Sequence, residues 1–181
     1  MDSGSECYHR FLEGDKNALA EIIRDYKDGM IFFLNGFCGN YAVAEDMTQE
    51  TFIKLYVKKP KFHGKASFKT WLYRIARNTA VDYLRKSNRM SDITEELTDF
   101  DENPEIEYFK EENKIQLHKS LCKLRSEYRQ ILWLIYFEGM SIDDASKILG
   151  KSKNNISVLL HRAKNSLKSE LEKEGFSYEN I

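Results

Sequence analysis

Apolar residues recur at helical spacing along almost the whole chain, and no long stretch alternates apolar with polar side chains. Only two prolines, Pro60 and Pro104, interrupt the pattern. A chain written this way must bury helical stripes, so an all-α fold is predicted. Helices are expected from about Asn17 to Tyr26 and from about Gly29 to Phe37, the second ended by the turn Cys38-Gly39-Asn40. Asn40 then caps a helix from Tyr41 to about Lys58, and Pro60 and Gly64 mark a loop. Ser67 caps a long helix from Phe68 to about Lys86.

With 181 residues and 41% hydrophobic content, the chain can form one domain or two small ones. The segment from Ser91 to about Phe109 favours two: it is acidic, contains Pro104, and has too few periodic apolar residues to pack. It reads as a flexible linker that, fully extended, reaches on the order of 70 Å. Helical periodicity resumes at Glu111, with Ile115, Leu117, Leu121, Leu124, Ile131 and Leu134 on apolar faces. SIDDASKILG, with Ser141 and Asp144 as a capping box, is followed by Gly150 for a turn and Ser152 as the next cap. The last helix, KNNISVLLHRAKNSLKSELEK, turns Ile156, Leu160, Ala163 and Leu167 inward. That is a helix-turn-helix with its reading helix last.

The formal net charge of −1 hides a segregated pattern. Between Lys58 and Arg89 there are ten basic residues against one acid, Asp82, and between Ser91 and Glu112 ten acids against Lys110. On the helix beginning at Phe68, 3.6-residue spacing puts Phe68, Leu72, Ile75 and Thr79 on one side and Thr70, Tyr73, Arg74, Arg77 and Arg85 on the other. Cations track phosphates and exposed rings stack unpaired bases, so the second side suits a single strand of DNA. On this reading Tyr73 is exposed among the arginines, Phe68 is core, and Trp71 lies at the boundary.

The runs AEDMTQETF and SFKTWLYRIARN, followed by a helix-turn-helix ending in HRAKNSLK, resemble the bacterial sigma-70-type initiation factors of the small, two-domain extracytoplasmic-function (ECF) class. The resemblance spans about Phe11 to Leu171. It implies domains at 11–89 (region 2-like) and 111–174 (region 4-like) joined by the linker 90–110. It also implies a transcription initiation factor, not an enzyme, that binds core RNA polymerase and promoter DNA, duplex and melted. The run carrying Asp46, Gln49, Glu50 and Phe52 would bind the polymerase clamp. Lys65, Trp71, Tyr73, Arg74, Arg77, Asn78, Arg85 and Lys86 would hold the melted upstream (−10-like) element, with a flipped base near Lys61 to Ser67.

In the last helix Lys153, Asn154 and Asn155 would enter the major groove of a −35-like element, with Ser157, His161 and Arg162 continuing that side. The sequence departs from the family at four positions. Val158 and Leu159 stand where basic residues are usual, Ser146 where alanine is, and Arg125 where proline follows leucine. The acidic linker would suit a cationic polymerase cavity, and two tethered domains would allow an anti-sigma protein to clamp them together. The alternative is a stand-alone helix-turn-helix regulator, which leaves the helix from Trp71 to Asn78 unexplained.

Other chemistries find no support in the residues. Asp46 and Glu50 are i,i+4 neighbours without a third ligand, and His118 with Cys122 makes at most half a zinc site. Cys7, Cys38 and Cys122 are odd in number and lack CxxC spacing, so neither a disulfide framework nor a zinc knuckle is expected. No cofactor is implied. No apolar run approaches the ~20 residues that span a bilayer, and MDSGSECYHR has no signal-peptide core. A cytoplasmic protein without membrane insertion is expected.

Overall fold

A computed structural model of the chain describes residues 2–90, 112–173 and 175. The linker expected from Ser91 to Phe109 and the tail beyond Gly175 lie outside the described residues. Those described form helices and turns, with no strand among them.

The first half packs four helices: α1 (Ser3–Leu12), α2 (Lys16–Cys38), α3 (Tyr41–Lys58) and α4 (Phe68–Met90). The cap residues act as expected. Asn40 Oδ1 accepts from the Val43 amide at 3.0 Å, and Ser67 Oγ from the Thr70 amide at 3.1 Å. Gly39, at φ 67°, ends α2 in the left-handed conformation that favours glycine. The sequence reading did not foresee α1. Its cap, Asp2, serves two helices, one carboxylate oxygen accepting from the Ser5 amide at 2.8 Å and the other from the Phe68 amide at 2.9 Å. Tyr8 and Phe11 then complete an aromatic core with Phe68 and Trp71.

The two helices expected at Asn17–Tyr26 and Gly29–Phe37 are one continuous helix, α2. Gly29 is no break but a point of close approach. A β-carbon there would collide with the Glu138 carboxylate and lie 2.8 Å from the Tyr73 hydroxyl. Two turns on, a β-carbon at Gly36 would lie 3.1 Å from Gln130 Cγ. Residues seven apart share a helix face, and this one receives the second half of the chain.

That second half comprises α5 (Glu112–Cys122), α6 (Ser126–Leu132) running into a π-helical turn at Trp133–Phe137, α7 (Ile142–Leu149) and α8 (Lys153–Lys173). Ser141 Oγ caps α7 through the Asp144 amide at 3.1 Å, and Gly150, at φ 66°, makes the turn. Two of the departures from the family fit the backbone. Arg125 precedes α6 at φ −58°, the angle to which proline is locked, and Ser146 Oγ donates back to the Asp143 carbonyl at 2.8 Å.

The halves are packed together rather than held apart on a tether. Phe32 of α2 stacks on Trp133 with ring centroids 4.7 Å apart, and Ser126 Oγ donates to the Gly36 carbonyl at 2.6 Å. Buried Gln130 reaches the same carbonyl at 3.4 Å and Ser126 Oγ at 2.9 Å. Burying polar groups at a junction is tolerable only when they find such partners.

Candidate nucleic-acid interface

Along α3, Ala44, Met47, Thr48, Thr51, Phe52 and Leu55 are buried. Asp46, Gln49 and Glu50 are exposed on the opposite side. Phe52 therefore does not belong with them: it is 6% exposed and packs in the core, because its position falls one step off the outer stripe. Ile53, at 58% exposure, occupies the next place on that stripe, with Tyr56 and Val57 beyond it. Helical spacing places Asp46, Gln49, Glu50, Ile53 and Tyr56 on one face. Glu50 is held toward Lys54 at 2.9 Å, which leaves Asp46 as the acid at the amino end of the stripe. An acidic rim beside exposed aliphatic and aromatic side chains is the composition of a protein-docking face. Its apolar part was missed in the sequence because a strong alternative, burial, exists for every apolar residue in an amphipathic helix.

The cationic side of α4 differs from expectation at its centre. Tyr73 is completely buried, 5.3 Å from Phe33 by ring centroids, with its hydroxyl beside the Glu138 carboxylate at Gly29. It cannot stack a base in this arrangement. Both halves of the chain bury it, Phe33 and Gly29 of α2 from the first and Glu138 from the second, on a side of α4 that a helical wheel assigns to solvent. Burial, with the neighbouring carboxylate, raises the Tyr73 ionisation well above that of a free phenol.

Around it the covering contacts are polar. Lys69 pairs with the Glu138 carboxylate at 2.7 Å and donates to the Glu138 carbonyl at 2.8 Å, while Trp133 Nε1 donates to the other carboxylate oxygen at 3.0 Å. Thr70 Oγ1 donates to Asp144 Oδ1 at 2.9 Å, and Arg77 reaches the Leu149 carbonyl at 3.5 Å. Burial alone would raise the Asp144 carboxyl, but hydrogen bonds from Ser141 and Thr70 outweigh it and hold it below the usual range. Carboxylates thus partner Lys69 and Thr70 on the side of α4 that its sequence marks as cationic.

The flanks of α4 remain open. Arg74, Asn78, Arg85 and Lys86 are exposed, as is Lys65 in the preceding loop. Trp71 faces the core side, half-buried between Tyr8 and Phe62 with ring centroids 5.2 Å from each.

On α8 the outward side matches the sequence reading closely. Lys153, Asn154, Asn155, Ser157, His161 and Arg162 are all exposed, and Ile156 and Ala163 are buried. Three are partly engaged. Lys153 pairs with Asp143 at 2.6 Å, Ser157 Oγ donates to the Lys153 carbonyl at 3.0 Å, and His161 sits 3.2 Å from Asn165. Hydrogen bonds from Lys147 on the same helix and Lys153 on the next draw the Asp143 carboxyl down to about 2. Val158 is exposed and Leu159 half-buried. Among the described residues no cluster of three or more His, Cys, Asp or Glu is placed to hold a metal.

Comparison with known proteins agrees with this geometry. Sigma-70 region 2 matches residues 22–90, which take in most of α2 and all of α3 and α4. Sigma-70, region 4 matches residues 114–167, from α5 into α8. The ECF RNA polymerase sigma factor SigW of Bacillus subtilis is 30% identical over 171 residues, covering 88% of this chain and 91% of the relative. The chain belongs to the ECF sigma factors. It is a transcription initiation factor of that family. The RNA polymerase sigma-H factor of Pseudomonas aeruginosa is 28% identical over 184 residues, covering 95% of each chain. Among solved structures, the sigma factor RpoE in complex with the anti-sigma factor NepR from Bartonella quintana aligns with TM-score 0.67 at 25% identity. That alignment covers 84% of this chain and 96% of the other. CnrH, solved with the cytosolic domain of CnrY, has TM-score 0.66 at 20% identity, covering 95% and 99%, a likeness of fold.

Within this sigma factor, then, two faces that sequence spacing marks for DNA stand in different states. The outer side of α8, in region 4, is open, and α4, in region 2, is covered along its amino-terminal turns by the sigma factor's own second half. The residues that close it, Glu138 and Asp144, carried no functional signal in the sequence, where Asp144 read as a cap.

Proposed function

We propose that this sigma factor acts in the bacterial cytoplasm, binds core RNA polymerase through α3, and directs it to promoters with two elements. It would do so without covalent chemistry of its own. Residues 11–89 act as the polymerase- and strand-binding domain, 90–110 as the linker, and 111–174 as the duplex-reading domain. On α3 the contact residues are Asp46, Gln49 and Glu50, joined by Ile53 and Tyr56. On α4 and the loop before it, Lys65, Arg74, Arg77, Asn78, Arg85 and Lys86 track the melted strand of the −10-like element. Trp71 and Tyr73 support that helix from within in the packed arrangement. On α8, Asn154, Asn155, His161 and Arg162 face the −35-like duplex, with Lys153 and Ser157 at its edge. Among the described residues no helix is long and apolar enough to cross a membrane.

The observation that carries the proposal is the exposed stripe on α3. Among the described residues nothing covers it, and it lies beside a cationic helix and a helix-turn-helix, as a docking face would. Asp46→Lys combined with Glu50→Lys should abolish binding to core polymerase and run-off transcription while the far-ultraviolet circular dichroism stays unchanged. Retention of full polymerase affinity by this folded double variant would overturn the assignment. Strand binding further requires the second half to leave α4, and an anti-sigma protein would silence the factor by holding the halves as they are packed here.

A further inference from the structure

If α8 reads duplex DNA as proposed above, one residue on its outer side does not fit the ordinary polar pattern. Val158 is 51% exposed, one turn beyond Asn154 and three residues beyond Asn155. The core does not need it, since Ile156 and Ala163 fill the inner face at this level. With Leu159 it lines an open groove of about 300 Å³ whose other residues are Lys151, Asn155 and Arg162. Arg162 is exposed, and Lys151 is steadied by Glu127 at 2.8 Å. The groove therefore combines a carboxamide, an apolar surface and two cations.

Each component has a counterpart in one kind of base pair. In the major groove an adenine offers its N7 acceptor and N6 donor, which a carboxamide can bond bidentately, and its partner thymine offers a 5-methyl group. A guanine–cytosine pair offers no methyl. Cations beside such a reading edge match the phosphates that bound the groove. Three residues advance about 4.5 Å along a helix, comparable with the ~3.4 Å of one base-pair step. Asn155 and Val158 can therefore address the same or adjoining pairs. We propose that Val158 is a specificity determinant of this sigma factor, reading the 5-methyl group of a thymine in the duplex promoter element beside an adenine read by Asn155.

The test uses the full chain with core polymerase. Selection from a genomic fragment library first defines the duplex element, and each of its thymines is then replaced singly by 2′-deoxyuridine, which lacks only the methyl. At one position the wild-type holoenzyme should bind about threefold to fivefold more weakly, the effect of losing one buried methyl contact. Val158→Ala should bind the thymine and deoxyuridine duplexes equally and leave affinity for core polymerase unchanged. The proposal is overturned if the element lacks thymine, if no replacement weakens binding, or if Val158→Ala still discriminates. Asn155→Ala separates the two levels of failure. If it shifts base preference while Val158→Ala does nothing, the thymine contact alone is wrong. If neither substitution affects recognition, α8 is not the reading helix and the underlying assignment falls with it, a result that a protein partner on this face would produce.

Discussion

Helices α4 and α8 both present cations and amides on one side, yet α8 is open to solvent along that side and α4 is covered over its first two to three turns. The difference does not lie in the helices themselves, since each shows a comparable division of apolar and polar residues. It lies in what the rest of the chain offers to cover them. Opposite α4 stand Glu138 and Asp144, which bring matched partners for Lys69 and Thr70. Among the described residues nothing of comparable shape stands opposite the outer side of α8. A helix face is thus functional or structural according to its surroundings, and a face of mixed character such as that of α4 can be each in turn.

The sharpest way to break this comparison is at Tyr73. As a buried residue its replacement by alanine should destabilise the fold by about 3–5 kcal/mol in urea denaturation, whereas an exposed stacking residue would cost within about 0.5 kcal/mol. Tyr73→Phe should be near neutral, because the hydroxyl has no well-formed hydrogen bond to lose. An equal loss from both substitutions would show that the hydroxyl, not the ring, is what the packing needs.

Glu138→Lys sets a cation against Lys69 and should loosen the second half without disturbing the α1–α4 core. The radius of gyration from small-angle scattering should rise, and affinity for a fluorescent single-stranded oligonucleotide should increase as α4 is uncovered. An expanded chain with unchanged strand affinity would mean that the covered face is not the strand-binding one.

On the open helix the effects are smaller and separable. Asn155→Ala should lose about 1–3 kcal/mol of discrimination at one base position, measured by competition binding. Lys153→Ala should act weakly on all sequences and flatten the salt dependence by less than one full phosphate contact, since Asp143 already neutralises that ammonium. A full phosphate's worth of salt dependence would show that DNA displaces Asp143.

The smallest effect is expected at Asp2. Burial would raise its carboxyl, but the amides of Phe68 and Ser5 outweigh that and hold it below the usual range. A depressed carboxyl contributes stability at pH values above its unfolded-state pKa, and that contribution is lost as pH falls through the folded-state value. Asp2→Asn keeps a capping oxygen but removes the charge at two helix amino termini, so it should lower the melting temperature by an amount equivalent to roughly 0.3–1 kcal/mol near neutrality. The gap between the two proteins should close in acid. A gap independent of pH would assign the effect to shape rather than charge.

The sequence by itself determined the helical class, because apolar spacing and the near absence of proline leave little else. It also fixed the caps at Asn40, Ser67, Ser141 and Ser152, where a side-chain oxygen meets amides two or three residues on. It determined the outward side of α8 for the same reason: both sides of that assignment are local, with Ile156 and Ala163 marking the inside. The tertiary structure alone decided the rest. It joined two expected helices into α2, because Gly29 answers to the distant Glu138 and Gln130 approaches Gly36. It added α1, whose capping acid also holds Phe68. It buried Phe52 and Tyr73 and left Ile53 outside. Periodicity assigns residues to faces of one helix, but whether a face meets water, another helix or a partner depends on segments remote in the chain, and no local pattern encodes that meeting.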